Sequence, residues 1–434
     1  SGVRPDSSAS EAKGTCIPHP RPIPPAQWFS GTSNKERQSM STTLAARRLA
    51  LCALFLLPGL AMSSWVTRTP AIRDLLGAST AQMGLVIFGL AFGAMVGILC
   101  SGPLLARFGA KPLIAFGTLG VAVSVPLVGL GAAAQIDGFV IAALALFGLS
   151  MGGSEIAMNV EGADVEAITG RPFLPALHGS FSLGTLIGAA LGIVATAADF
   201  SVVMHLLTIG LSGIVILLVC IRFLPTATGR RQKRKSPVYR AERAVWRDSS
   251  VWLIGVIVLA MAFAEGTAND WLPLIMVDGH GLNPALSSTV FAVFAAAMTL
   301  GRFLGGPVVQ RFGRAWVLGA SALSAVIGIS LVAFVDNSVV AGFAVVLWGL
   351  GASLGFPVAI SSAGASGENP ATRVAFVTVI GYIAFLVAPP LLGFIGERAG
   401  LRGALVIPLL VLFVSIFLSP VARTRPSSIQ IGTP

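Results

Sequence analysis

Of the 29 basic and 18 acidic residues in this chain, only Glu155, Glu265 and Arg302 fall well inside long apolar stretches. An ionisable group in such a setting loses several kcal/mol of hydration, so it is retained mainly where it faces a cavity or an opposite charge. Glu155 and Asn159 are four residues apart, hence on one face of a helix. Gly148, Gly152 and Gly153 just before them permit close helix contact. The chemistry that fits is reversible protonation of a carboxylate beside an amide able to bind a polar solute. The alternative is an inter-helix hydrogen bond that only locks packing. His178, one to two turns into the next apolar stretch, is expected at similar depth, as a further solute ligand.

Glu265 opens the run Glu265-Gly266-Thr267-Ala268-Asn269-Asp270-Trp271. A glycine after a carboxylate, followed by polar residues, predicts an interrupted helix exposed to a cavity. Glu265 is then a second proton-coupling candidate and Asn269 a solute ligand, while Asp270 is either part of that site or an interfacial charge anchored by Trp271. Arg302 either snorkels or pairs with a carboxylate, and gating is its expected role. Trp65 either stacks on a sugar ring or belongs to an aromatic belt, and Tyr382, one of two tyrosines, is a candidate hydrogen-bond donor beside a bend at Pro389-Pro390. His205 is expected at an interface. The acidic group Glu161, Asp164 and Glu166 is expected to pair with Arg107, Arg171 or Arg222. It lacks the ligand spacing of a calcium loop. The four histidines and four cysteines never reach zinc-ligand spacing, no Walker-type phosphate loop is present, and no cofactor or metal site is expected.

These side chains need elements that hold them in an apolar medium. The 434 residues are 55% hydrophobic and 11% charged, with a net charge of +11 and a mean hydropathy of +0.85. A chain so poor in charge cannot cover a soluble surface. Twelve apolar segments are long enough to cross hydrocarbon as helices, at approximately 45–67, 80–105, 111–133, 138–162, 174–197, 201–224, 251–269, 286–309, 315–335, 338–362, 374–395 and 403–421. Residues 1–43 are rich in Pro, Ser and charge and read as a disordered leader, with Met40 a candidate start. With the amino terminus inside, nineteen basic residues fall on the inner side and four on the outer. The positive-inside rule therefore places both termini in the cytoplasm of a cell membrane. The run Arg230-Arg231-Gln232-Lys233-Arg234-Lys235 reads as a topology signal on the central loop rather than a nucleic-acid surface.

That loop, 226–249, separates a six-helix half at 44–225 from another at 250–422, with a tail at 423–434. The halves repeat. Gly102-Pro103-Leu104-Leu105-Ala106-Arg107-Phe108-Gly109 reappears as Gly306-Pro307-Val308-Val309-Gln310-Arg311-Phe312-Gly313, an offset of 204 residues, and Phe147-Gly148-Leu149 as Trp348-Gly349-Leu350. Parallel repeats of this kind place a pathway on the pseudo-twofold axis between them.

Over roughly 44–422 the sequence resembles the major facilitator superfamily. The family's loop signature, Gly-x-x-x-Asp-Arg/Lys-x-Gly-Arg/Lys-x-Arg/Lys, is met by Gly102, Arg107 and Gly109, with Lys111 one place from its usual slot. Ala106 and Gln310 stand at the Asp position, so the charge part of the family's latch is altered. Within the superfamily the resemblance is to the fucose–proton symporter group and its uncharacterised bacterial relatives. It is carried by Glu155-Ile156-Ala157-Met158-Asn159, similar to Glu-x-Ala-x-Asn, and by Leu177-His178-Gly179-Ser180-Phe181-Ser182-Leu183-Gly184. The symporters' second acid, four residues before a proline, is Val66 here.

The expectation is an all-α membrane protein of twelve helices in two pseudo-symmetric bundles, and a secondary transporter rather than an enzyme. It would work by alternating access, with Glu155 coupling protons to import of a small polar, sugar-like solute. Proton-antiport export of drugs or metabolites is the alternative, and a non-transporting sensor on the same scaffold is the reading from another class. Arg107, Arg302 and Arg311 are expected to gate. The expected partners are solute, protons and lipid, with no nucleic acid, and the protein is expected to be a monomer.

Overall fold

The computed structural model describes Gly2 and residues 34–170, 173–226, 228–229, 245–366 and 370–422. The leader apart from Gly2 and 34–43, Arg171, the basic run 230–235 and the tail 423–434 lie outside the described residues. The chain forms two compact units, Ser1–Thr43 and Leu44–Pro434. In the first, the described stretch 34–43 is helical.

Among the described residues the structure is helical, with no strand. The helices are α1 (Asn34–Val66), α2 (Thr69–Leu76), α3 (Thr80–Phe108), α4 (Ala110–Ala133), α5 (Asp137–Thr169), α6 (Leu174–Ala197) and α7 (Val202–Cys220). After the central loop come α8 (Ser249–Leu274), α9 (Pro284–Phe312), α10 (Arg314–Phe334), α11 (Ser338–Ala365), α12 (Pro370–Ala404) and α13 (Val406–Leu418). Eleven of these are long and apolar enough to cross a membrane. The twelfth expected segment differs in form. A positive-φ Gly400 (φ 74°) kinks the chain, the turn after it runs on from α12, and the remainder is the shorter apolar stretch Val406–Ala422.

One further expectation is corrected. The helix carrying Glu265 is not interrupted there: α8 runs unbroken through Glu265-Gly266 to Leu274, and the irregularity is a π-helical turn at Ile275–Gly279. Gly266 serves packing instead, because a Cβ there would lie 2.9 Å from the Phe385 ring. Pro389 and Pro390, where a bend is expected, lie inside α12 with helical backbone angles, and the non-helical residue of that helix is Gly400.

The repeat seen in sequence extends to caps and packing. α3 and α9 are both 29 residues long and lie at the same offset as the loops that follow them. Ser79 caps α3, reciprocated by Gln82, and Asn283 caps α9 by accepting from the Leu286 N–H. A single glycine, Gly109 (φ 87°) or Gly313 (φ 79°), joins each helix to the next. Side chains rarely adopt that backbone, and glycine does so freely. A Cβ on Gly148 of α5 would meet Leu90 O at 2.0 Å and Ala94 N at 2.6 Å. One on Gly349 of α11 would meet Phe294 O at 2.6 Å and Met298 N at 3.3 Å, the equivalent positions. The same backbone-to-backbone crossing therefore builds both halves, as small residues do between helices in lipid. Successive spans are antiparallel, which gives the molecule a basic face, with the Arg107 and Arg311 loops, and a far face, with Arg73, Asp278 and Arg402.

Candidate functional site

The junction between the halves is formed by α6 against α9 and by α3 against α12. At its centre Gly179 of α6 touches the Phe303 ring of α9, where an added Cβ would fall 2.9 Å from the ring edge. This contact brings Arg302, the neighbour of Phe303, to the face of the amino-terminal half. The Arg302 guanidinium donates to Glu265 Oε1 at 2.7 Å. It does not snorkel. It also lies within electrostatic reach of Glu155 and His178, and Glu155 lies within reach of the Tyr382 hydroxyl. Five side chains from five helices thus share one electrostatic neighbourhood.

Within it the two carboxylates are unequal. Glu265 is buried and neutralised by Arg302. Glu155 is half-buried and has no hydrogen bond or ion pair among the described residues. One turn on, Asn159 Oδ1 is buried without a partner, so the Glu155–Asn159 face offers unused hydrogen-bonding capacity. His178 is exposed, with the Phe55 ring edge-on at 5.2 Å. Asn269, one turn after Glu265, is half-buried in a stretch of α8 whose neighbours are buried. Tyr382 is half-buried, its ring tilted against Phe385 at 6.3 Å. Trp65 is 0% exposed and its indole N–H points to Met62 Sδ at 3.3 Å, so in this conformation the ring is presented neither to a solute nor to an interface.

The far face is closed by contacts between the halves. Arg73 of α2 pairs with Asp278. The Ala81 N–H, in the first turn of α3, donates to Glu397 Oε2 of α12 at 3.0 Å, which sets a carboxylate at a helix amino terminus. The Ser288 hydroxyl donates to Thr67 O at 3.1 Å. Deeper, Gly84 packs on Pro389, Pro390 and Gly393, with an added Cβ only 2.8 Å from Pro389 O. Among the described residues, every hydrogen bond and ion pair between the halves is at this face. An open cavity of about 470 Å³ beside it is lined by Asp278, Asp336 and Arg402, among others. Both carboxylates there are already paired, Asp336 with Arg402, and the cavity does not include the central residues.

On the basic face Arg107 and Arg311 are exposed and lie over the rings that follow them, Phe108 at 5.2 Å and Phe312 at 5.5 Å. The acidic group does not pair with Arg107 or Arg222. Arg47 of α1 donates to Glu161 at 2.7 Å and to Asp164 at 2.6 Å. Glu166 accepts from the Phe173 and Leu174 N–H groups, capping α6. Arg47 is nearer because α1 reaches this face beside α5, a proximity that sequence distance conceals. His205 is buried rather than interfacial, and both its ring nitrogens lack partners. The Arg73–Asp278 and Ala81–Glu397 contacts were not foreseen. Their one signal was Ser79-x-x-Gln82, which fixes where α3 begins.

A family profile described as Major Facilitator Superfamily matches residues 49–367 and 276–431. An uncharacterized MFS-type transporter of Yersinia pestis is 30% identical over 368 residues, covering 85% of this chain and 91% of its own. An uncharacterized transporter of Sinorhizobium fredii is 31% identical over 366 residues, covering 81% and 92%. Among solved structures, an inward-facing bacterial homolog of the human lysosomal transporter Spinster superposes with a TM-score of 0.72 at 16% identity, covering 89% of this chain and 99% of that one. The Escherichia coli fucose:proton symporter does so with a TM-score of 0.61 at 19% identity, covering 87% and 98%.

Proposed function

The chain belongs to the major facilitator superfamily of membrane transporters, and from that premise we propose that it imports a small polar, sugar-like solute coupled to protons, with Glu155 as the coupling carboxylate. The observation that carries this reading is the inequality at the junction: Glu265 has its counter-ion in Arg302, and Glu155 has none. When Glu155 carries a proton, the central group is electrically balanced and its carboxyl and Asn159 are free to hydrogen-bond a solute. When the proton leaves, two carboxylates face one guanidinium. The loaded and empty carriers then differ by one charge at the point where the halves meet, which couples protonation to rocking. His178, Asn269 and Tyr382 complete the solute site.

The basic face is cytoplasmic in this reading, by the positive-inside rule. Closure of the far face then makes this the inward-facing state, with Arg107 and Arg311 released from the cytoplasmic contacts they make in the other state. A reporter fused after Lys235 should read as cytoplasmic and one after Gly279 as external. The opposite pair overturns the orientation. Arg107→Ala and Arg311→Ala should lower transport rate more than solute affinity.

A thermal-shift screen over sugars, nucleosides, organic acids and common drugs identifies the solute. A response confined to hydrophobic cations would move the reading to export by antiport. With that solute in proteoliposomes, Glu155→Gln should keep counterflow exchange and lose accumulation driven by a pH gradient. Accumulation that survives in Glu155→Gln places coupling elsewhere, with Glu265 the next candidate.

A further inference from the structure

Beneath the closed far face lies another acid that the coupling scheme does not use. Asp270 of α8 is 6% exposed and has no hydrogen bond or ion pair among the described residues. The adjacent Trp271 is 1% exposed, and its indole N–H finds no acceptor. An unpaired carboxylate beside an indole without an acceptor, on a helix whose other carboxylate, Glu265, has its cation, marks a place that is incomplete in this conformation. Neither residue is at an interface, so an anchoring role does not explain them.

Position says when it becomes complete. Asp270 is five residues beyond Glu265, roughly 7.5 Å further toward the far face and about 140° around the helix, so it does not share Arg302. It is eight residues, roughly 12 Å, short of Asp278 in the Arg73 ion pair. The elements packed on α8 supply no counter-charge. Arg302 is held by Glu265, Arg373 by Asp248 at the basic end, Arg73 by Asp278 and Asp74, and Arg402 by Asp336. Glu397 caps α3, Arg398 is exposed at the far end, Arg311 is exposed at the basic end, and Tyr382 lies with Glu155. α11 and α13 carry no charged residue.

We propose that Asp270 is a second proton-binding carboxylate, shut from water in this conformation and opened to the far-face solution when the Arg73–Asp278 and Gly84–Pro389 contacts part. In the open state the carboxylate takes a proton from hydronium and leaves water. On closure it keeps that proton, since no cation is there to replace it. In the next opening it exchanges the proton with the same solution. The proposal rests on alternating access at the far face and not on Glu155 being the coupling site.

The test needs no transported solute. The full-length protein in liposomes is followed by infrared spectroscopy in the carboxylic-acid C=O region. One component should be lost in Asp270→Asn and retained in Glu155→Gln. On transfer to D2O, that component should shift about tenfold more slowly in wild type than in Arg73→Ala, because opening of the far face limits exchange. A folded Asp270→Asn with an unchanged band overturns the proposal, as does equal exchange in wild type and Arg73→Ala. If Asp270→Asn does not fold, Asp270→Glu must move the component's frequency, and an unmoved band is equally fatal. Loss of pH-driven accumulation in Glu155→Gln bears only on the coupling scheme, so the two readings fail separately.

Discussion

Gly84→Ala tests whether the far-face seam is a conformational element or ordinary packing. The added Cβ would lie 2.8 Å from Pro389 O, 3.1 Å from Gly393 Cα and 3.2 Å from Pro390 Cα. All three are backbone atoms, so no side chain can turn aside. Restoring ordinary contact requires α3 and α12 to part by roughly 0.6 Å or more. Overpacking of this order costs about 1–3 kcal/mol. The cost falls only on the state in which the two helices touch, so the closed-to-open ratio should drop by about 5- to 150-fold. Gly148→Ala is the control. Its Cβ would lie 2.0 Å from Leu90 O, but both helices belong to one half and stay together throughout rocking. It should lower thermal stability without favouring either state. Spin labels at Ala134→Cys and Val339→Cys, with the native cysteines replaced, report separation of the far-face ends by double electron–electron resonance. A longer-distance population should grow in Gly84→Ala and not in Gly148→Ala. If Gly84→Ala loses stability like the control while its distance distribution stays that of the parent, the seam does not gate.

Three further outcomes follow from the described geometry. Arg47→Ala leaves Glu161 buried without its cation and should destabilise by about 3–5 kcal/mol, read as a fall in melting temperature in detergent, whereas Arg47→Lys should recover part of it. The Ser250 hydroxyl and then Arg373 hold the Asp248 carboxyl below the usual carboxylate range. A group whose pKa is lowered by folding stabilises the protein above its unfolded value and loses that contribution as pH falls through its folded value. The melting temperature should therefore drop below about pH 4, and Asp248→Asn should flatten that limb. Gly109→Ala and Gly313→Ala force a side chain into positive φ and should each cost about 1–2 kcal/mol, with similar losses if the two joints are equivalent.

The membrane class, the helices and the repeat were legible because hydrocarbon imposes a length and an apolar composition that a sequence states outright. Glu155, Glu265 and Arg302 were legible for the same reason, since charge within such stretches is rare. What was hidden depends on which helix lies beside which. The partner of Glu161 and Asp164 is Arg47, more than a hundred residues away, and local charge patterning points to nearer arginines. The seam at Gly84, Pro389 and Gly393 joins backbones, and backbone proximity leaves no mark except small residues that are common throughout this chain. Trp65 and His205 misled because aromatic and polar groups near segment ends read as interfacial, yet both are turned inward. Glu265-Gly266 read as a helix break, whereas in an apolar medium an unsatisfied backbone group is so costly that α8 continues through the glycine.

The crossings of α4 with α5 and of α10 with α11 place their smallest residue on opposite partners. In the first half a Cβ on Gly117 would meet Ser150 O at 2.7 Å, and in the second a Cβ on Gly351 would meet Ser321 O at 2.6 Å. These are the same two positions with glycine and serine exchanged. In each half the backbone carbonyl of the facing serine stands where the Cβ would go, so the serine side chain is not the obstacle. Gly117→Ser should therefore be refused even after Ser150→Gly, because the Ser150 carbonyl and the Ser154 Cβ, 2.5 Å from the added atom, both remain. The two halves have lodged one requirement, a bare Cα against a partner's main chain, on opposite helices.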